Sequence, residues 1–194
     1  TPTPSVQQAT LISQAELDGY LISNGSGGTI FLADQDTILV GDGSSANWQY
    51  KGIISFNTGA LPANTTIHSA HLRLRRGSDI GNPGGLGQLF IDISPANGFG
   101  QSMALAAEDA DARAAIVGLL RYTTISGETW LEGALNDTGI GAISHSGVTQ
   151  FRLYFTLPNN GNGEDDLLTF FAGDHANAEY RPQFVITYSV NSNQ

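Results

Sequence analysis

The sequence predicts an all-β protein, a jelly-roll β-sandwich of about ten strands with one or two short helical turns near residues 104–120. Charged residues make up only 13% of the chain, fewer than a helix bundle needs, while glycine is abundant at 24 residues. Short β-favouring runs recur between turn-forming segments along most of the chain. The clearest run, 149–156, alternates apolar and polar side chains, which is typical of an amphipathic strand.

In the first half of the chain, predicted strands alternate with loops rich in glycine, serine and asparagine. The central pair of strands is joined by residues 57–64, where Pro62 fixes φ and Gly59 and Asn64 tolerate positive φ. Before this pair, residues 6–12 are either a first strand or an arm. The remaining strands predicted in this half are 16–23, 29–32 and 37–40.

The second half contains one segment that departs from this pattern. Residues 103–122 are rich in alanine, with Glu108 and Asp109 early and Arg113 late, an order that suits the helix dipole. We expect one or two helical turns there, bridging strands. The strands predicted around it are 88–94, 129–131, 149–156, 167–172 and 183–190.

The chain divides into an N-terminal arm or linker (1–15), a β-sandwich module (16–190) and a short tail (191–194). Residues 1–5 alternate Thr and Pro before Ser5 and resemble the linkers of secreted modular proteins, so we expect a mature or excised extracellular or cell-surface segment. The formal charge of -10 disfavours nucleic acid. No apolar run approaches the roughly 20 residues of a membrane helix.

Several stretches resemble DNRLRE-type β-sandwich modules, which are related to carbohydrate-binding modules of secreted bacterial and archaeal proteins. The similar stretches are Asp18-Gly19-Tyr20, Val40-Gly41-Asp42, Ser55-Phe56-Asn57-Thr58, Leu61-Pro62, Thr66-Ile67-His68-Ser69-Ala70-His71-Leu72, Asp92-Ile93, Phe99-Gly100, Thr149-Gln150-Phe151-Arg152-Leu153 and Arg181-Pro182-Gln183-Phe184-Val185-Ile186-Thr187-Tyr188. The resemblance spans residues 16–190 and implies a jelly-roll sandwich without catalysis, with polysaccharide binding in some members. It supplies no fixed set of binding residues.

The titratable residues predict no enzyme. The histidines, His68, His71, His145 and His175, show neither metal-hydrolase spacing nor a neighbouring nucleophile motif. There is no cysteine, which excludes disulfides and thiolate metal sites.

Acidic loops leave a structural calcium ion as the cofactor to consider, because Ca²⁺ takes several oxygen ligands from loops. If one ion is bound, we expect Asp165 and Asp166 with Asp18 as its ligands. The other interpretation is that these carboxylates are simply solvated.

Carbohydrate binding requires exposed aromatic faces beside polar side chains. The candidates are Trp48, Tyr50 and Trp130. Trp48 has the most polar sequence neighbours, so we expect it to be exposed. The other interpretation places Trp130 and most tyrosines in the core.

The arm supports a different hypothesis. Val6, Ala9, Leu11 and Ile12 form an added strand that can pair with its own sheet or with a neighbour's, and head-to-tail donation of such a strand builds a filament. Two functions therefore stand side by side: a non-catalytic extracellular module for polysaccharide binding or cell-surface adhesion, and a structural subunit of an extracellular filament or matrix made of identical subunits.

Overall fold

The computed structural model describes residues 5–24, 28–45, 48–123 and 129–191. The predicted positions 1–4 of the arm and 192–194 of the tail lie outside the described residues. Within these ranges the strands are β1 (Val6–Ile12), β2 (Gly19–Ser23), β3 (Thr29–Ala33), β4 (Thr37–Asp42), β5 (Gln49–Asn57), β6 (Thr65–Arg75), β7 (Leu89–Ile93), β8 (Ile116–Tyr122), β9 (Trp130–Ala134), β10 (Val148–Phe155), β11 (Asp166–Phe171) and β12 (Gln183–Val190).

In the ranges that the structure describes, helical structure is limited to single turns. One α-helical turn, α1, spans Asp137–Gly141, and short 3₁₀ helices lie at Ala15–Leu17, Thr58–Ala60, Pro83–Leu86, Phe99–Gln101, Ala107–Ala110 and Ala178–Tyr180.

The strands form two antiparallel sheets. One has the order β1-β12-β6-β9; the other contains β11-β4-β5-β10-β7-β8, with β2 pairing β5 and β3 pairing β2. Eight of these strands have the strand order of a jelly roll: β1-β12-β6-β9 in one sheet and β5-β10-β7-β8 in the other. The predicted all-β, jelly-roll class is confirmed, and β2, β3, β4 and β11 extend the larger sheet.

The core lies between the sheets, where the alternating apolar side chains of both meet. At its centre the rings of Phe56, Phe151 and Phe184 pack with centroids 5.3–6.0 Å apart, and all three are fully buried. Phe56 and Phe151 come from the larger sheet and Phe184 from the smaller, so this cluster joins the two layers.

The outer face of the larger sheet is also covered. Phe99, Leu105 and Ala110, from the segment between β7 and β8, pack on Leu21 and Ile53 to form a second, smaller apolar cluster. Beneath the same segment, Arg152 pairs with the fully buried Asp92 at 2.7 Å and donates to the carbonyls of Asp109 and Ala112. Gln150 and Arg152, on the polar face of the amphipathic strand 149–156, are therefore buried too.

Three segments differ from the sequence-based expectation. In 103–122, the helical turn at Ala107–Ala110 is confirmed, but Ile116–Tyr122 is strand β8, whose β-branched start pairs with β7. Ala15–Leu17 is a 3₁₀ helix, so the strand predicted at 16–23 begins only at Gly19. Residues 6–12 of the predicted arm form β1, paired with β12 of the same chain from Val6–Ser189 to Ile12–Gln183.

Candidate functional site

Trp130 lies at the start of β9, on the outer face of the four-stranded sheet. Its partner across the ladder is Arg75 of β6, and the next outward pair is Arg73 with Glu132. Arg73 lies over the Trp130 ring, 4.8 Å from its centroid, and donates to Glu132 (2.8 Å) and to Gln183 (2.7 Å). The buried residues Leu72 and Leu74 alternate with these outward side chains, which fixes their direction.

The guanidinium of Arg75 lies close to two aromatic rings. Its guanidinium carbon is 3.6 Å from the centroid of Tyr180 and 5.8 Å from that of Trp130. Within the described part of the chain, Arg75 makes no side-chain hydrogen bond and no ion pair, and its Nε is buried without a partner. Arg75 is thus a cation held by ring faces and lacking a counter-charge among the described residues.

Tyr180 is positioned by its own local structure. It ends the 3₁₀ helix Ala178–Tyr180, whose N-cap Asn177 accepts the Glu179 N–H at 3.0 Å. Its ring stacks on His175 and Phe171, with centroids 5.4 and 5.3 Å apart. The position of Arg75 follows from the alternation of His71, Arg73 and Arg75, but no sequence signal brings Tyr180 to it, because that contact is made only by the tertiary fold.

Trp48 and Tyr50 belong to a different surface. Both are half-buried beside the β4–β5 loop, where the Trp48 carbonyl accepts the Gly43 N–H at 3.0 Å and the Tyr50 ring lies 6.0 Å from Tyr20. Burial, and then the charge of Asp165, raise the pKa of Tyr50. Because Trp130 lies in the other sheet, the three predicted sugar-binding aromatics do not form one platform.

The three predicted calcium ligands also lie in two separate places, Asp165 and Asp166 in one and Asp18 in the other. Asp165 accepts the Ser44 N–H at 2.6 Å, and the buried Asp166 accepts the side-chain amides of Asn160 and Asn162 at 2.6 and 2.8 Å. Asp18, in contrast, accepts the backbone N–H groups of Ser55 and Gly173, at 2.8 and 3.1 Å.

Gly173 follows the C-terminal end of β11 and Asp166 begins it, so the extended strand separates Asp18 from Asp165 and Asp166. The structure therefore does not bring Asp18 to the other two. Among the described residues, no group of three or more His, Cys, Asp or Glu side chains is placed to hold a metal ion.

The arm residues lie on an edge strand. Ala9 and Leu11 pack partly on the core, whereas Val6 and Ile12 are 66% and 41% exposed. Ser13 and Gln14 then anchor the chain, since their N–H groups donate to Pro182 (3.2 Å) and Ser55 (2.8 Å). No helix within the described ranges is long and apolar enough to cross a membrane.

No protein-family model matches the chain, and a search of curated proteins finds no match. Among solved structures, the chain is similar to the VP1 pentamer of human polyomavirus 6, with 10% identity over 96% of this chain and 93% of that one. The TM-score is 0.23, too low to carry an argument about fold or function.

Proposed function

We propose that the chain is a non-catalytic extracellular module that binds an anionic polysaccharide on the outer face of its four-stranded sheet. The observation that carries this proposal is Arg75, a cation over the ring of Tyr180 and near that of Trp130, without a hydrogen bond or counter-charge from the described side chains. Its Nε is buried, so its two Nη groups are the donors offered to a ligand, and a guanidinium suits a carboxylate or a sulfate ester.

The surroundings of Arg75 supply what a sugar chain needs besides charge. Trp130 and Tyr180 are half-buried, so each residue is partly accessible beside Arg75. Aromatic side chains next to polar groups are what carbohydrate binding requires. The exposed Glu132 and the amide of Gln183 hold Arg73 over Trp130, which stiffens the same face. An extended glycan lying across β9, β6 and β12 meets aromatic, cationic and amide groups in turn.

The net charge of -10 opposes binding of a polyanion, so the local contact has to outweigh the overall repulsion. At 0.1 M salt, charges further than roughly 10 Å from a ligand are largely screened. Salt screens a direct guanidinium–carboxylate contact on an aromatic surface much less. Binding is therefore expected at moderate ionic strength and to weaken as salt increases further.

The test is calorimetric titration of the chain with a soluble polyuronate and with a neutral glucan of matched length. We expect the polyuronate to bind and the Arg75→Gln and Trp130→Ala variants to lose about tenfold or more in affinity. Arg113→Gln, at an exposed arginine outside this sheet, is the matched control and should bind as the natural chain does. Loss of affinity only in Trp48→Ala would move the site to the Trp48–Tyr50 surface, and absence of binding to either polymer would refute the function.

A second candidate function is a filament subunit assembled through the arm. Edge strand β1 pairs only with β12 in the described structure, and its exposed Val6 and Ile12 lie beside an unpaired edge. If β1 exchanged onto β12 of a neighbour, the same ladder would form between subunits, with the hinge at Ser13 and Gln14. Light scattering would give polymers for the full chain and monomers without residues 1–12; monomers in both cases would exclude this function.

A further inference from the structure

The carboxylate of Asp42, at the end of β4, is incompletely satisfied. The residue is 1% exposed, and its Oδ2 accepts the backbone N–H of Asn160 at 2.9 Å. Its Oδ1 is buried and has no hydrogen-bond partner among the described residues. A buried carboxylate oxygen without a hydrogen-bond donor lowers the stability of the folded state. A ligand bound at this oxygen would offset that loss.

A second buried carboxylate lies beside the first. Asp42 is the cross-strand partner of Asp166, which is 2% exposed. Asn160 links them, because its backbone N–H donates to Asp42 and its side-chain amide donates to Asp166 at 2.6 Å. None of the ion pairs among the described residues involves either carboxylate. Two neighbouring buried negative charges therefore lack a compensating cation.

A cation is the ligand that fits this pair of carboxylates. Asp42 and Asp166 face each other across the β4–β11 ladder, and the Oδ1 of Asp42 is buried without a partner among the described residues. A divalent cation would compensate both carboxylates and would also contact this Oδ1.

We infer that Asp42 and Asp166 bind a Ca²⁺ ion beneath the loop at 159–165. Ca²⁺ fits better than Mg²⁺, because Ca²⁺ accepts irregular sets of carboxylate, amide and carbonyl oxygens, whereas Mg²⁺ demands near-octahedral geometry. Residues 161–165 are exposed, and an added Cβ at Gly161 or Gly163 would meet nothing within 4 Å, so the loop over the two carboxylates lies open to solvent. The inference does not rest on the proposed glycan site.

The binding test uses metal-free protein at neutral pH, titrated calorimetrically with CaCl₂. We expect one ion per chain with a dissociation constant of about 10⁻⁴–10⁻³ M, the range of extracellular modules. Calcium at about 100-fold above this value should raise Tm by about 5–10 °C. Tb³⁺, a calcium surrogate, should luminesce on excitation of Trp48, whose carbonyl accepts from Gly43, the residue after Asp42.

Asp42→Asn is the decisive variant. The substitution should weaken Ca²⁺ and Tb³⁺ binding at least about tenfold. In calcium-free buffer, the Tm of this variant should be no lower than that of the natural chain, because the substitution removes a charge repulsion between Asp42 and Asp166. Asp36→Asn, an equal charge change at an exposed residue, should leave binding unchanged. Absence of calcium binding, or full binding by Asp42→Asn, overturns the inference.

Discussion

Asp18 shows at the scale of one residue how burial and hydrogen bonding compete. The residue is fully buried, and the backbone N–H groups of Ser55 and Gly173 donate to its carboxylate. These bonds favour the charged form, but burial has the larger effect and raises the pKa of Asp18 to about 7. Asp109 behaves similarly: burial raises its pKa to about 6.

Stability should therefore depend on pH between the ordinary carboxyl pKa and neutrality. The folded chain keeps the Asp18 proton up to about pH 7, whereas the unfolded chain loses it near the ordinary aspartate pKa of 3.8. Because the folded state binds more protons in this window, the free energy of unfolding falls as pH rises from about 4 to 7, by about 2–4 kcal/mol.

Urea unfolding in calcium-free buffer across this window checks the expectation. Asp18→Asn should remove the larger part of the slope, and the exposed Asp36→Asn should leave it intact. The assignment fails if stability is level from pH 4 to 7 or if Asp18→Asn keeps the full slope.

At the scale of elements, the sequence predicts strands well where one face is apolar and the other polar. Phe151, Leu153 and Phe155 point into the core as their alternation predicts. The same pattern does not reveal that Gln150 and Arg152 are buried as well, because the segment covering them comes from between β7 and β8. Such coverage depends on tertiary packing, which local periodicity does not record.

In the candidate sites, too, the sequence pattern predicts single residues, whereas tertiary packing decides their contacts. The type and surroundings of Trp130 make it a candidate aromatic in the sequence, but the second ring at Arg75, Tyr180, comes from a distant 3₁₀ helix. Likewise the acidic turn identifies Asp165 and Asp166, whereas Asp42 reaches Asp166 only through the pairing of β4 with β11. Sequence reasoning finds the residues with the right chemistry and misses the contacts that strand order creates.

The β4–β11 ladder depends on a glycine. Gly41 has φ +149°, and a Cβ added there would lie 2.0 Å from the carbonyl oxygen of Asp166. We expect Gly41→Ala to lower the free energy of unfolding by about 3 kcal/mol, because the overlap is with backbone and the φ is rare for a side-chain-bearing residue.

Gly141, at the end of α1, is the matched control, since an added Cβ meets nothing within 4 Å. Gly141→Ala should change stability by no more than about 1 kcal/mol, in the stabilising direction. Equal urea midpoints for the two variants would show that the β4–β11 pairing tolerates a side chain at Gly41.

At the scale of the whole molecule, the first and last strands pair with each other but do not contribute equally to the core. β12 lies between β1 and β6, so it is hydrogen-bonded on both edges, whereas β1 is bonded on one. Phe184 and Ile186 of β12 are fully buried in the core, while β1 contributes only the half-buried Ala9 and Leu11. The jelly roll therefore closes through its last strand, and its first strand covers an edge.

Truncation should expose this difference. Removing residues 183–194 deletes the core side chains Phe184, Ile186 and Tyr188 together with both ladders of β12. At about 2–5 kcal/mol for each large core side chain, this loss is comparable to the whole stability of about 5–15 kcal/mol of an ordinary domain. We expect circular dichroism and amide proton NMR dispersion to show that this shortened chain is unfolded.

Removing residues 1–12 should leave a folded, less stable sandwich with an open β12 edge, because Ser13 and Gln14 still anchor the new terminus. If the shorter N-terminal deletion also unfolds the chain, β1 is an obligatory part of the core, and exchange of this strand between subunits would become a requirement for any filament.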